Sequence, residues 1–175
     1  MKLLIASDIH GAAEPAEKIV EVYRKENPDL VILLGDLLYH GPRNDLPPTY
    51  GPKKVIPLLS EMKDRILAVR GNCDAEVDQM VLPFPILEET RTLEADGKRI
   101  LLAHGHHPLE TTGYDVVMTG HTHIPVLEKK DGITWLNPGS TSIPKNGSKP
   151  SYALWEDGVL TILSLEGEIV MREGN

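Results

Sequence analysis

The sequence predicts an α/β fold in which two β-sheets pack face to face and helices lie on the outside. Up to about residue 72, fully apolar runs alternate with amphipathic segments, a pattern typical of βαβ units with parallel strands. After residue 85, the pattern changes to short strand-like segments joined by Asp-Gly turns. Two packed sheets accommodate both patterns within one fold.

Three apolar segments in the first half are predicted strands, at residues 2–6, 30–36 and 65–72. Residues 14–29 predict an amphipathic helix, because apolar side chains recur at helical spacing between Ala16 and Tyr23 and the pair Asn27-Pro28 then ends the pattern. Residues 52–64 are compatible with a second helix. This half therefore predicts alternating strands and helices.

The second half predicts mostly strands, in the segments 86–105, 115–121, 126–137, 151–165 and 168–173. Three Asp-Gly pairs, at 96–97, 131–132 and 157–158, predict hairpin turns within these segments. The sequence contains no internal repeat and no linker-like stretch. We therefore expect a single domain covering residues 1–175.

The composition is that of a soluble globular protein, with 41% hydrophobic and 25% charged residues among 175. No apolar run approaches the ~20 residues of a membrane-spanning helix, and we expect no association with membranes. With a formal charge of −8, the chain lacks the excess of basic residues that is typical of nucleic-acid-binding proteins. The single Cys73 excludes an intrachain disulfide and favours a cytoplasmic location.

Polar residues that can bind metal follow five apolar segments: Asp8 and His10 after the first, Asp36 after the second, Asn72 after the third, His104 after "ILLA", and His121 and His123 after "VVMTG". Each has a simpler explanation by itself: Asp8 could cap a helix, and His104 could be an ordinary buried histidine. Ligands of open α/β sheets bind at the carboxyl ends of strands. The repeated placement therefore favours one shared site, and the glycine beside each group is expected to let the backbone turn there.

These side chains suit transition-metal chemistry. Two carboxylates, one carboxamide and four imidazoles form a mixed N/O set that fits Mn²⁺, Fe, Co²⁺ or Zn²⁺. Seven ligands are too many for one ion and fit two ions that share a carboxylate, for which Asp36 is the natural candidate. Two divalent ions and two carboxylates leave a local surplus of about +2, which attracts a phosphate. A hydroxide held between the ions could then attack phosphorus in line.

The ordered motifs "DIHG", "GD", "GNCD", "HGH" and "GHTH" resemble those of the calcineurin-like metallophosphoesterases. The stretches "GNCDAEVDQM", "YDVVMTGHTHIPV" and "NPGSTSIP" are similar to the YfcE-type branch of small bacterial phosphodiesterases, and the resemblance covers nearly the whole chain. It implies a four-layer αββα sandwich of two mixed sheets flanked by helices, with two metal ions above the strand ends.

The resemblance also implies which residues bind which ion. One ion is expected to be bound by Asp8, His10, Asp36 and His123, and the other by Asp36, Asn72, His104 and His121. Among these, Asp36, Asn72 and His104 are the expected catalytic residues. Mn²⁺ is the frequent working ion of the family, with Fe, Zn, Co or Ni as alternatives.

One position departs from the family pattern. Many relatives have a histidine after the metal-binding asparagine, where it contacts the phosphate and can protonate the leaving oxygen, but this chain has Cys73. Cys73 and His106 are the candidate substrate-binding residues. For Cys73 we favour the alternative of a small residue beside the site, because a thiol has an ordinary pKa of ~8.5 against ~6.5 for histidine. His106 could instead be a solvated loop residue. Asp74 could either support the ligand residues from outside the site or cap the following helix, and we favour the cap.

The stretch "YHGPRNDLPPTYGP" at residues 39–52 has no periodicity and is rich in proline and glycine. It could be a surface excursion or a loop that borders an active site. His40 and Arg43 within it could reach a phosphate, although we favour a surface position for both. The stretch "NPGS" at 137–140 is expected to form a tight loop that supports "GHTH".

The sequence thus predicts a two-metal phosphoesterase that hydrolyses a small-molecule phosphodiester. A phosphomonoesterase with the same metal site is the alternative enzyme. A catalytically silent scaffold of the same fold is a third hypothesis, which the full set of expected ligands disfavours. The sequence leaves a homo-oligomer open.

Overall fold

The structure is a computed structural model that describes residues 1–173. The strands within this range are β1 (Lys2–Ala6), β2 (Leu30–Leu33), β3 (Ile66–Ala68), β4 (Thr90–Ala95), β5 (Lys98–Ala103), β6 (Val116–Met118), β7 (Val126–Lys130), β8 (Ile133–Asn137), β9 (Ser151–Glu156), β10 (Val159–Ser164) and β11 (Ile169–Arg172). The helices are α1 (Ala13–Glu26), α2 (Pro52–Glu61) and the short α3 (Glu76–Gln79), with a 3₁₀ turn at Lys63–Arg65.

The strands form two mixed sheets, as predicted. One has six strands in the order β11-β10-β9-β1-β2-β3, in which β1, β2 and β3 are parallel and β9 runs antiparallel to β1. The other has five strands in the order β4-β5-β6-β8-β7, in which β5, β6 and β8 are parallel. The last three strands therefore join the sheet that β1 begins, rather than the sheet of the strands just before them.

Two hydrophobic cores hold these layers together. Side chains of a strand alternate between its two faces, and β1 contributes to both cores: Leu3 and Ile5 face the five-stranded sheet, whereas Leu4 and Ala6 face the helices. Helix α1 packs on the outer face of the six-stranded sheet through buried residues such as Ile19. The predicted pair of face-to-face sheets with helices outside is confirmed.

The long helices α1 and α2 lie on the side of the six-stranded sheet, and no helix follows α3 within the described residues 80–173. The outward side chains of β4 explain why this edge of the five-stranded sheet needs no helical cover: Thr90, Thr92 and Glu94 are polar and exposed. An antiparallel edge strand with one polar face is stable against water.

The local turn chemistry follows the sequence closely. At all three Asp-Gly hairpins, both residues have positive φ, for example 49° at Asp96 and 74° at Gly97, as two-residue hairpin loops of this type require. Helix α1 ends where Asn27 adopts a left-handed conformation with φ 45°. Within residues 1–173, no helix combines the length and apolar character needed to cross a membrane. The single-domain organisation stays a prediction.

Candidate metal centre

The carboxyl ends of strands from both sheets meet at one place. The backbone N–H of Asp8 donates to the carbonyl of Gly35 at 3.1 Å, which joins the ends of β1 and β2. The backbone N–H of His121 donates to Asp8 Oδ2 at 3.0 Å, which joins the end of β6 in the other sheet to β1. The seven residues predicted to bind metal are thereby brought together.

A first group of side chains surrounds Asp8 Oδ1. His123 Nε2 lies 3.1 Å and His10 Nε2 lies 3.6 Å from this oxygen, and the two Nε2 atoms are 3.2 Å apart. All three residues are buried. Their ligand atoms lie within 4.8 Å of one another, close enough to share one ion.

A second group lies around Asn72 Oδ1. His104 Nε2 is 3.0 Å and His121 Nδ1 is 2.9 Å from this oxygen. Asp36 lies between the two groups, with its Oδ2 3.6 Å from His10 Nε2 and 3.4 Å from His104 Nε2. The two groups contain the two ligand sets expected from the sequence, and Asp36 is in contact with both.

Backbone carbonyls fix the orientation of three of these histidines. The Nδ1–H groups of His10, His104 and His123 donate to the carbonyls of Tyr39 at 2.8 Å, Leu34 at 2.6 Å and Ile143 at 2.6 Å, respectively. A carbonyl can only accept, so Nδ1 carries a proton and Nε2 is the ring nitrogen left to face the centre. Such outer contacts orient the imidazoles that bind metals. His121 differs, since its Nδ1 faces the centre.

The residues predicted to bind metal adopt an unfavourable backbone conformation. Five of the seven have positive φ: 54° at Asp8, 49° at His10, 57° at Asp36, 66° at His121 and 60° at His123. Such residues cost roughly 1–3 kcal/mol each and collect at functional sites. The expectation that the neighbouring glycines also turn the backbone here is confirmed at three of the five, with φ of 72° at Gly11, 95° at Gly35 and 95° at Gly105.

Two of those glycines, Gly71 and Gly120, do not have positive φ. They serve the site by lacking a Cβ, which would collide with the Asp36 side chain at Gly71 and with the Ser7 side chain at Gly120. The close approach of the backbone to the ligands, rather than conformational freedom, requires glycine here.

The charges of the centre indicate that it is built for cations. Burial alone would raise the pKa of Asp8, but the neighbouring imidazoles of His10 and His123 hold that pKa well below its usual range. Burial would lower the pKa of His104, but Asp36 and Asp8 raise it to about 9. Both shifts show that the buried carboxylates favour positive charge beside them.

The donor set fits divalent metal ions. Asp8 Oδ1 is buried and accepts no hydrogen bond, and a buried polar atom without a partner calls for an explanation. It faces the Nε2 atoms of His10 and His123, which also face the centre. An ion bound between these three atoms would satisfy all of them. Mixed N/O ligation of this kind is typical of first-row transition metals.

Asp74 supports the centre from behind, so the prediction that it caps α3 is wrong. Its carboxylate accepts hydrogen bonds from the backbone N–H groups of Asp36 at 2.8 Å, Leu37 at 2.9 Å and Gly71 at 2.7 Å. The side chain that accepts from Ala75 N–H at the start of α3 is instead Asp78, at 2.9 Å. Asp74 therefore ties together the two loops that carry Asp36 and Asn72.

The "NPGS" loop lies against the metal-binding loops, as predicted. The Asn137 amide donates to the carbonyl of Gly120 at 2.6 Å and to Thr122 Oγ1 at 3.1 Å. The Ser140 hydroxyl donates to the carbonyl of Asp8 at 2.7 Å. The loop thus fixes the backbone on both sides of the first ligand group.

A cavity of about 380 Å³ opens over the centre. Arg43 is exposed, as the sequence favoured, and it also lines this cavity. Lys145, which sequence reasoning missed, lines it as well. Lys145 follows "NPGSTSIP" closely, and its position in that segment is the only signal that could have indicated it. Both cations favour an anion in the cavity.

The two candidate substrate-binding residues have different positions. Cys73 lines this cavity, and its backbone N–H donates to Asp36 Oδ1 at 2.8 Å. Burial raises the pKa of the Cys73 thiol to about 12. The ring of His106 lies 5.4 Å from that of His104 and 6.1 Å from that of His121, but His106 is outside the cavity lining. Both assignments stay predictions.

Two facing mixed sheets with clustered histidines and carboxylates at their strand ends define a candidate metalloprotein. The chain belongs to the calcineurin-like phosphoesterase superfamily, whose domain model matches residues 1–157. It is a metal-dependent phosphoesterase by this membership and by its buried metal-binding groups.

Relatives of this chain include small microbial enzymes. It is 41% identical over 178 residues to Phosphodiesterase YfcE of Escherichia coli K12, which covers 99% of this chain and 97% of that protein. The solved structure of the E. coli YfcE phosphoesterase matches with a TM-score of 0.92 at 42% identity, over 98% of each chain. Phosphodiesterase MJ0936 of Methanocaldococcus jannaschii is 29% identical over 164 residues, covering 84% of this chain and 91% of that one.

Proposed function

We propose that this chain hydrolyses phosphodiesters with two divalent metal ions that share Asp36. The position of Asp36 carries this proposal: its Oδ2 lies 3.6 Å from His10 Nε2 and 3.4 Å from His104 Nε2, between the two ligand groups. A carboxylate has two oxygens with which to bridge two ions. Mn²⁺ is the proposed ion, with Fe, Zn, Co and Ni as alternatives that the same N/O ligands could bind.

When bound, such ions would neutralise the phosphoryl oxygens and supply an activated hydroxide for in-line attack at phosphorus. The residues of the chain prepare the site for this chemistry. Asp36, Asn72 and His104 keep their donor atoms converged at the centre, with His104 fixed by the carbonyl of Leu34. Arg43 and Lys145 line the cavity and attract the anionic substrate despite the overall negative charge.

The names of two relatives, both called phosphodiesterases, support a diester as the substrate. A monoester is the alternative, because the cationic cavity favours any phosphate. The completeness of both ligand groups argues against a catalytically silent scaffold. We further propose a small-molecule substrate and a cytoplasmic location, the latter because of the single cysteine; the oligomeric state is left open.

The test is a metal screen against paired substrates. Metal-free protein is loaded with Mn²⁺, Fe²⁺, Co²⁺, Ni²⁺, Zn²⁺ or Mg²⁺ and assayed with bis-(p-nitrophenyl) phosphate and with p-nitrophenyl phosphate. We expect Mn²⁺ to restore hydrolysis better than Mg²⁺, since four imidazoles suit a transition metal better than a hard oxygen-seeking ion. We also expect a higher kcat/KM for the diester. Full activity after chelation would refute the proposal, and a monoester preference would favour the alternative.

A further inference from the structure

A second cavity, also of about 380 Å³, adjoins the one over the metal centre. We call it the apolar groove; it is lined mainly by Leu38, Tyr39, Tyr50, Ile56, Val77 and Val81. Lys53 and Asp78 also line it, and their charges are opposite. Cys73 lines both cavities, so the groove lies next to the cavity over the metal centre. Its volume falls in the range of small-molecule pockets, ~300–1,000 Å³.

The groove exposes apolar side chains to solvent. Val77 is 63%, Val81 47% and Tyr39 41% exposed. Clustered apolar side chains that remain in contact with water mark binding sites more often than single exposed ones do. The groove therefore has apolar surface available for a ligand to bury.

One wall of the groove is rigidly connected to the metal centre. The Tyr39 carbonyl accepts the Nδ1–H of the metal ligand His10 at 2.8 Å. The rings of Tyr39 and Tyr50 each pack edge-on against the ring of His40, with centroids 4.7 and 5.2 Å from it. The aromatic wall is thus held in a fixed place relative to the ions that the centre would bind.

We propose that the apolar groove binds an alkyl or aryl substituent of the phosphodiester, an inference that rests on the proposed function. The phosphate is attracted by the metal centre, Arg43 and Lys145, and Cys73 lies between that cavity and the groove as a member of both linings. A diester carries two substituents, and one of them can extend past Cys73 into the groove. A polar substituent such as a sugar would lose hydrogen bonds to water against these side chains. The preferred substrates are therefore diesters with an apolar ester group.

The test measures the binding of dimethyl, diethyl and dibutyl phosphate to the Mn²⁺-loaded protein by titration calorimetry. These compounds carry the same single charge, and their symmetry makes the orientation irrelevant. We expect dibutyl phosphate to bind about tenfold or more tightly than dimethyl phosphate, since a fully buried methylene contributes roughly fourfold. The double variant Val77→Asn/Val81→Asn should reduce this advantage to about threefold or less without weakening dimethyl phosphate binding. Val170→Asn, at an exposed valine on β11, is the matched control and should keep the advantage.

Several outcomes would overturn the proposal. If dimethyl and dibutyl phosphate bind equally, or if the tighter binding of dibutyl phosphate persists in the double variant, the groove does not bind the substrate. Metal-dependent hydrolysis of bis-(p-nitrophenyl) phosphate would still support the proposed function in that case. A lower oligomeric mass of the double variant in light scattering, with the chain-length advantage intact, assigns the groove to a second copy of this chain. Absence of both binding and diester hydrolysis refutes the proposed function and this inference together.

Discussion

The backbone N–H of Asp36 donates a hydrogen bond to Asp74 Oδ2 at 2.8 Å, and this contact links the residue between the two ligand groups to the loop that carries Asn72. The same carboxylate also accepts the N–H groups of Leu37 and Gly71. One buried side chain therefore holds two metal-binding loops in register, although it does not face the centre itself.

Asp74→Asn should weaken metal binding through this framework. An amide can accept with its oxygen, but its NH₂ group faces backbone donors and cannot accept from them. We expect a loss of ~10–100-fold in Mn²⁺ affinity or kcat/KM, as is typical of residues that orient ligands. Asp78→Asn is the control, because Asp78 accepts only from Ala75 in the α3 turn. Titration of metal-free protein with Mn²⁺ measures the effect, and equal affinities for the two variants would contradict it.

Asp36→Asn should lower metal content and activity more than substitution of any ligand that belongs to only one of the two groups. The substitution preserves size but removes a negative charge and one oxygen donor from both ligand groups. We expect fewer than two metal ions per chain and a loss of at least ~10²-fold in kcat/KM on an aryl diester. This loss equals or exceeds the largest losses that are typical when a residue hydrogen-bonded to a metal ligand is substituted. Elemental analysis and kinetics measure both, with the exposed Asp45→Asn as control. Two ions and near-normal turnover would show that Asp36 is not shared.

Metal binding should stabilise the fold. Without an ion, Asp8 Oδ1 is buried with no hydrogen-bond partner and five ligand residues retain strained backbones. A ligand present at 100 times its Kd adds about 2.7 kcal/mol to the free energy of unfolding. We expect the Tm of the metal-free protein to rise with Mn²⁺ concentration and to fall again after chelation. Asp8→Ala should show a much smaller rise, whereas Asp45→Asn should behave as the parent; equal rises in all three would contradict the prediction.

Cys73 is expected to contribute little proton donation to the leaving group. Burial raises the pKa of its thiol to about 12, so it is a weak acid near neutral pH, whereas effective general acid catalysis is worth ~10²–10⁴-fold. Cys73→Ala should therefore reduce kcat/KM on an aryl diester by less than about tenfold. The parent should also depend steeply on leaving-group pKa, with alkyl leaving groups much slower than aryl ones. A flat series in the parent, together with a ~10²-fold loss in Cys73→Ala, would assign proton donation to the thiol.

Asp96 should stabilise the fold in a pH-dependent way, far from the metal centre. Its carboxylate accepts the indole N–H of Trp155 at 2.6 Å and pairs with the amino group of Met1 at 2.9 Å, and these contacts lower its pKa. The stabilisation is present above the unfolded-state pKa of about 3.9 and disappears as the pH falls through the lower folded-state pKa. The Tm difference between the parent and Asp96→Asn should thus be constant near neutrality and vanish in acid. Asp131→Asn, at the equivalent position of another Asp-Gly turn, is the matched control variant.

Much of the site could be predicted from the sequence because its ligands directly follow apolar strands. Asp8, Asp36 and His104 each stand within three residues of a strand that the hydrophobic pattern identifies. The Asp-Gly hairpins were equally accessible, since the conformation of a two-residue turn depends on the two residues themselves. In both cases the information is local, and local information can be read along the chain.

The tertiary structure alone decided the rest, because it depends on contacts between distant parts of the chain. The residues around Asp74 do not show whether its side chain caps a helix or accepts the backbone N–H of Asp36, 38 residues away. Only the position of Lys145 after "NPGSTSIP" points to the site, and it does not indicate that Lys145 lines the same cavity as Arg43. Two further contacts depend in the same way on how the two sheets bury their apolar faces. Strand β9 pairs with β1, and the Tyr39 carbonyl orients His10. Burial selects such distant pairings through the packing of the whole fold, so they become visible only when the chain is folded.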